Sequence, residues 1–472
     1  MNETRILADW VSGLKIEDIP DEVVEHAERF LLDNLGCQLA GATTPWSRQF
    51  YDVVKKTRSG GSGAATVSFY GDRLSPDDAA FLNATFNHAN ECDDTHLKSP
   101  THPGQIAVPS AMAMAEYAGC DGDRLLLAVI AAYEVMIRIS WSCAPYLIYR
   151  GHHPPVGVGP FGAATAGAII LGFDKQTALD CYGIAGSHSA GLIEYTKTGG
   201  SVKRIHAGIP TQGGVRATLF AEAGITGPAS ILEGEKGFCK VFAGDYDLTR
   251  LTDELGTRWH MLDNGLKPYA CCHLIHFVFD AIDELRDQKD FGPDDLDELI
   301  VYTNSEPILS HIGSITEPTD ILGAQFSLPF STAMRIHHGG RGMEGGNGFW
   351  DYLEVDVKNQ ALIETANKIK VMVAADRERY LTVDTGAGVV VKLKDGTEME
   401  SKLAHSWGLP ENPLSDADLA AKFHYLNDPI LPQGRAQQII DTVGDVRSLK
   451  SVDGLVELLV VGGGQPERTA AE

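Results

Sequence analysis

What this 472-residue chain lacks narrows its chemistry at once. Its eight cysteines include no CxxC pair, and no HExxH run occurs, so the strong spacing signatures of zinc sites are missing. The cysteines are scattered rather than arranged as a small-domain framework, which points to reduced thiols and a cytoplasmic setting. Basic residues are in the minority. Lys+Arg number 39 against 64 Asp+Glu, and the formal charge of −25 argues against a nucleic-acid or anionic-membrane partner. No apolar run reaches about 18 uninterrupted residues, so no membrane-spanning helix is expected. The opening MNETRILADWVSGLKIEDIP has no charged segment leading into an apolar one, so no signal peptide is expected.

What is present reads as an ordinary globular chain, 43% hydrophobic and 22% charged, long enough for roughly two or three domains. The first 250 or so residues carry helical signals. In EDIPDEVVEHAERFLLDNLGCQLAG, Pro20 suits a first turn, apolar residues recur at Val24, Ala27, Leu31 and Leu35, and Gly41 can cap the end. LSPDDAAFLNATFNHANE starts a helix on Ser75 and Pro76. QIAVPSAMAMAEYAG, DRLLLAVIAAYEVMIRIS and GAATAGAIILGF are apolar on most sides, as buried bundle helices are. From about residue 265 the texture changes. LDELIVYTN and NKIKVMVA read as strands beside helices near 269–286 and 324–337, and GVVVKLKDGTEMESKL reads as a hairpin turning at Asp395-Gly396. The expected fold is mostly α with an α+β part. A helical domain over 1–264 is joined again by helices from 406–472, with a smaller α+β domain over 265–405 between them. The tail VGGGQPERTAAE is expected to fray.

Residues 90–104, NECDDTHLKSPTHPG, raise three readings: a metal site, an acid/base centre or a solvated polar loop. Metal is the weaker, because DDTH stands without a ligand pair. CCHLIH would put Cys272 and His276 on one helix face without a second pair. The acid/base reading has a helix ending near Glu91, then Asp93, Asp94 and Thr95 in a loop. His102-Pro103-Gly104 opens the next helix, whose amides favour an anion. Other loops resemble it. RGHHPPVG carries His152 and His153, GGSVKRIHAG carries Lys203 and His206 after a glycine pair, and NGLKPYACCH puts Lys267 just before a helix. Lysines with helix N-termini describe a site for a di- or tricarboxylate. GVGPFG, Gly157 to Gly162, matches GxGxxG on paper, but RGHHPP precedes it where a strand is needed. Its glycines are expected to let a histidine-bearing loop pass close to the bundle.

These segments, with NATFNHANECDDTH and THPG, resemble the MmgE/PrpD family in order and separation over about residues 4–450. Its members include 2-methylcitrate dehydratase, cis-aconitate decarboxylase and iminodisuccinate epimerase. The resemblance implies a metal-independent, cofactor-free homodimeric enzyme with a helical domain and a lid. It also implies a small di- or tricarboxylate partner. His102 and His153 match the two active-site histidines, and Lys203 and Lys267 match the two lysines. Thr95 matches a threonine, and Glu91 stands where the decarboxylases have aspartate. Asp93 and Asp94 fall in the same signature, where they can orient His102, and His206, Cys272 and Phe330 are placed at the substrate. Phe330, in AQFSLPFSTA, occupies a position expected to be tyrosine in the decarboxylases. Pro155 and the extra histidine of RGHHPP depart from the pattern too. The reading is a lyase, with dehydration of a 2-methylcitrate-like hydroxy acid placed first. Epimerisation of an imino- or amino-dicarboxylate, cis-aconitate-type decarboxylation and non-catalytic carboxylate binding follow.

Overall fold

The computed structural model describes residues 2–57, 63–198, 200–304, 309, 311–376 and 386–462. The chain divides into two compact units. Among the described residues, one runs to Ala89, resumes over Asp93–Gly265 and takes the C-terminal stretch from Asp416. The other holds Asn90–Cys92 and Leu266–Ser415. The second unit thus begins one residue after the expected 265 and continues to Ser415 rather than ending at 405. Of the tail expected to fray, only Val461 and Gly462 lie within the described residues.

The helical unit is built on α1 (Asp21–Ala42), α2 (Pro76–Asn87), α3 (Gly104–Ala118), α4 (Gly122–Cys143), α5 (Pro154–Leu171) and α6 (Gly208–Glu222). Helix α5 is the axis. Every residue from Pro154 to Ile170 is buried, and α3, α4 and α6 all pack on it. Two of these helices, α4 and α5, are long and apolar enough to cross a membrane, but 94% of each such window is buried within the protein. That burial is what a core helix needs, because an all-round apolar surface must be covered on every side.

GVGPFG is therefore not a loop. It lies inside α5, with no strand before it. A Cβ on Gly159 would come within 2.6 Å of Ile106 Cδ1, and one on Gly162 within 2.3 Å of Met136 Cγ. The glycines are there so that α3 and α4 can approach the α5 backbone. Gly41 is another correction. It does not cap α1, which runs on to Ala42 with Thr43 as its C-cap. A Cβ at Gly41 would meet the Phe86 carbonyl oxygen at 1.8 Å, so the position is reserved for contact with α2. Pro20 is the N-cap of α1 rather than a first-turn residue.

The second unit contains α7 (His273–Gln288), β1 (Leu296–Thr303), α8 (Leu328–His338), β2 (Ile369–Val373), β3 (Ala387–Leu393) and β4 (Glu398–Leu403). The sheet order is β2-β1-β3-β4, with β1 and β2 parallel and the other pairs antiparallel. Gly396, at φ 88°, makes the turn between β3 and β4. Helix α7 lies against β3 and β4, with its buried Ile275, Phe277, Phe279 and Ile282 turned from solvent. The chain then returns to the first unit through α9 (Asp416–Asn427). Helix α9 packs on α1, where Lys422 Nζ meets the buried Asp33 carboxylate at 2.6 Å. Among the described residues, the N-terminal stretch and the stretch from Asp416 thus belong to the same helical unit.

Candidate active site

In the helical unit the acidic loop is pinned from both sides. Helix α2 ends at Asn87, earlier than the expected end near Glu91, and His88 is its C-cap. Thr95 exchanges backbone hydrogen bonds with Gly265, at 2.9 and 2.8 Å, and His96 pairs likewise with Thr101. Asp94 is the anchor. It accepts from the Gly104 N–H at the start of α3 (3.1 Å), from Asn34 Nδ2 (3.4 Å) and from Asn264 Nδ2. Burial, and then the charge of Asp93, push its carboxyl up to about 7. The anchor is placed to hold His102, because the Asp94 carbonyl accepts from His102 Nδ1 at 2.8 Å. That bond fixes the Nδ1–H tautomer, which puts the basic lone pair of the neutral ring on Nε2. At 18% side-chain exposure, His102 is also more accessible than the fully buried His88 beside it.

His88 joins two residues that the sequence keeps far apart. Its Nδ1 lies 3.0 and 3.1 Å from the Asp93 carboxylate oxygens, and its Nε2 lies 2.8 Å from Lys203 Nζ. The His88 and His102 rings stand 5.3 Å apart. Lys203 is buried in a 3₁₀ turn, Ser201–Ile205, and Gly200 before it sits at φ 113°. Gly199 lies outside the described residues. Next to Lys203, Arg204 stacks 3.3 Å above the Trp46 ring and donates to the Ala89 carbonyl, tying this turn to the end of α2.

His153 is the N-cap of α5, and His206 caps the 3₁₀ turn that carries Lys203. Their Nδ1 atoms lie 3.0 Å apart, so one ring donates and the other accepts. Burial, reinforced by the Lys203 charge, holds His153 well below the ordinary imidazole range and brings His206 down to about 4. Both rings are uncharged at neutral pH. Tyr195 stands edge-on to both.

Four of the expected site residues belong to the other unit. Glu91 lies in the short excursion Asn90–Cys92 and takes φ 57°, a conformation that costs a side-chain-bearing residue about 1–3 kcal/mol. The buried Lys267 Nζ donates to the Glu91 carbonyl at 3.2 Å and stands 4.0 Å from its carboxylate. Lys267 is not directly at a helix start, since α7 begins only at His273. Cys272 is the N-cap of α7, and its N–H donates to the Gln325 carbonyl. The Gln325 amide in turn donates to Asn90 Oδ1 and to the Ala270 carbonyl, both at 2.9 Å. Phe330 is fully buried in the first turn of α8, which Ser327 caps.

The structure thus gathers Asp93, Asp94, Thr95, His102, His153, Lys203 and His206 in one unit, and Glu91, Lys267, Cys272 and Phe330 in the other. Sequence reasoning missed His88 as a site residue, although it stands inside the quoted NATFNHANE. A histidine five residues before an aspartate was the available signal. It missed Asn34 and Asn264 around Asp94, and Tyr133, whose hydroxyl accepts from Asn34 Nδ2 at 3.2 Å, and no local pattern marks these. Among the described residues, no three His, Cys, Asp or Glu side chains are grouped as metal ligands would be. His276 instead stacks on His273, with ring centroids 4.5 Å apart, beneath the edge of Tyr269.

Comparison with known proteins covers nearly the whole chain. Residues 5–251 match the MmgE/PrpD N-terminal domain, and residues 269–446 match the MmgE/PrpD C-terminal domain. The cis-aconitate decarboxylase of Aspergillus terreus is 27% identical, over 97% of this chain and 95% of its own. The cis-aconitate decarboxylase-like protein oryM of Aspergillus oryzae is 27% identical over 97% of each. The human cis-aconitate decarboxylase is 24% identical over 97% of this chain and 94% of its own.

Proposed function

Given that the chain belongs to the MmgE/PrpD family, we propose that it is a lyase that decarboxylates a tricarboxylate of the cis-aconitate type. The observation that carries this is the buried Lys203, set against the His88 ring and beside the uncharged His153–His206 pair. A cation held away from water attracts a carboxylate strongly, because the low-dielectric surroundings weaken its charge less than water would. The names of the relatives support decarboxylation over the dehydration that the sequence alone places first.

The chemistry asks three things of the residues. A carboxylate leaves as carbon dioxide, and the electron pair of the broken C–C bond stays on carbon, spread into the neighbouring unsaturated carboxylate. Lys203 stabilises that growing charge, as oriented donors do where charge develops. A proton then closes the new C–H bond. It comes ultimately from water, and His102, partly exposed and with its lone pair on Nε2, is suited to collect and deliver it.

One observation favours a second reading. Phe330 stands where the resemblance leads one to expect a tyrosine in a decarboxylase, and this departure in the sequence supports dehydration of a hydroxytricarboxylate such as 2-methylcitrate. Proton NMR of the protein with cis-aconitate, 2-methylcitrate and iminodisuccinate separates the two. A methylene-alkene product from cis-aconitate upholds decarboxylation. An alkene from 2-methylcitrate alone would replace it with dehydration.

A further inference from the structure

We infer that His88 is a positioning residue, held by Asp93 as the Nδ1–H tautomer so that its Nε2 accepts from the Lys203 ammonium and fixes where Lys203 points its other N–H bonds. The inference rests on the lyase reading for its purpose, but not for its geometry.

The assignment follows from donors and acceptors. An ammonium can only donate, so the ring nitrogen 2.8 Å from Lys203 Nζ has to accept. A carboxylate can only accept, so the ring nitrogen 3.0 Å from Asp93 has to donate. A single neutral tautomer meets both demands. The doubly protonated ring would turn an N–H toward an ammonium, and the other neutral tautomer would leave two acceptors facing each other at Asp93. His102 lies 5.3 Å from His88 ring to ring, and His153 and His206 are uncharged partly because Lys203 is charged. His88 and Asp93 are both fully buried, so water does not compete for these bonds.

A lysine side chain has four rotatable bonds and a freely turning ammonium, so an anion-binding lysine needs something to direct it. His88 does this without neutralising the charge, which a carboxylate in the same place would do. The arrangement resembles the carboxylate-to-imidazole orientation used at metal and triad sites, with an ammonium as the group being held.

Nitrogen NMR of the ¹⁵N-histidine-labelled protein tests this without substrate, the His88 signals being assigned by their loss in His88→Gln. A protonated Nδ1 and a lone-pair Nε2 are expected at neutral pH, with the Nε2 resonance moving in Lys203→Met. An Nε2–H tautomer, or a doubly protonated ring, would overturn the inference. In turnover, His88→Gln keeps an acceptor for Lys203 and is expected to stay within about tenfold of the parent. His88→Leu is expected to lose about 10²-fold in kcat with KM changed less than about threefold. Equal losses in the two variants would also overturn it. If no substrate is turned over by the parent protein, the lyase reading fails while the tautomer result still decides the role of His88.

Discussion

Two buried lysines, one in each unit, are handled in different ways. Lys203 is met by a ring nitrogen, whereas Lys267 is met by a backbone carbonyl with the Glu91 carboxylate 4.0 Å away. A neutral acceptor orients a charge and leaves it in force. A carboxylate nearby offsets it and binds the lysine into the structure, because breaking a buried ion pair is costly. The two surroundings therefore differ: Lys203 is oriented by a ring nitrogen, and Lys267 is tied into the structure beside a buried carboxylate.

Substituting each lysine should break that symmetry of sequence most sharply. Lys203→Met is expected to lower kcat by about 10²–10³-fold while costing about 1–3 kcal/mol of stability, the penalty for a neutral acceptor left unmet. Lys267→Met should destabilise more, by about 3–5 kcal/mol, because it strips the cation from beside a buried carboxylate. Urea unfolding together with steady-state kinetics reads both. If the two variants lose stability equally, the distinction drawn here is wrong.

A double substitution sharpens the same contrast. Lys267→Met with Glu91→Gln removes both charges at once, and it should recover part of the stability lost in Lys267→Met alone. Glu91→Gly relieves the strain at φ 57°, worth about 1–3 kcal/mol, but strips the carboxylate from beside the buried Lys267, so it is expected to lose less stability than Glu91→Ala, which keeps the strain. A fall in turnover without a fall in stability would then mark Glu91 as a site residue rather than a structural one.

Smaller effects come from protons, and the helical unit holds two of opposite sign. Asp94 rises from 3.8 to about 7, so between those values the native protein binds more protons than the unfolded chain. Its contribution to stability is therefore lost as pH rises through that window. His206 falls from 6.5 to about 4, so there the unfolded chain binds more protons, and stability grows with pH. Asp94→Asn should flatten the first slope and His206→Asn the second, as measured by unfolding midpoints across pH 4–8. An unchanged pH profile in Asp94→Asn would mean that the carboxyl is not held protonated near neutrality.

The sequence revealed the two kinds of region more readily than their contacts. Helical periodicity and the Asp395-Gly396 turn are local signals, and the elements they announced are present. The glycines of α5 and Gly41 were misread because their purpose is tertiary: only the neighbouring Met136, Ile106 and Phe86 explain them. The site was legible where its members share a short segment, as at Asp93, Asp94 and His102. His88 was hidden because its meaning depends on Lys203, which is 115 residues away. Asn264 reaches Asp94 across 170 residues, and no spacing rule links such pairs. The split of Glu91 from Asp93 into separate units was equally invisible, since one intervening residue suffices for the crossing.

The most direct test of the central claim is to give the protein cis-aconitate labelled with ¹³C at its carboxylates, in D₂O, and follow carbon dioxide and the product together. Labelled carbon dioxide is expected in step with a product carrying one deuterium at the new C–H bond, with loss of both in Lys203→Met. Hydration or deuterium exchange with no carbon dioxide, or full activity in Lys203→Met, would contradict it.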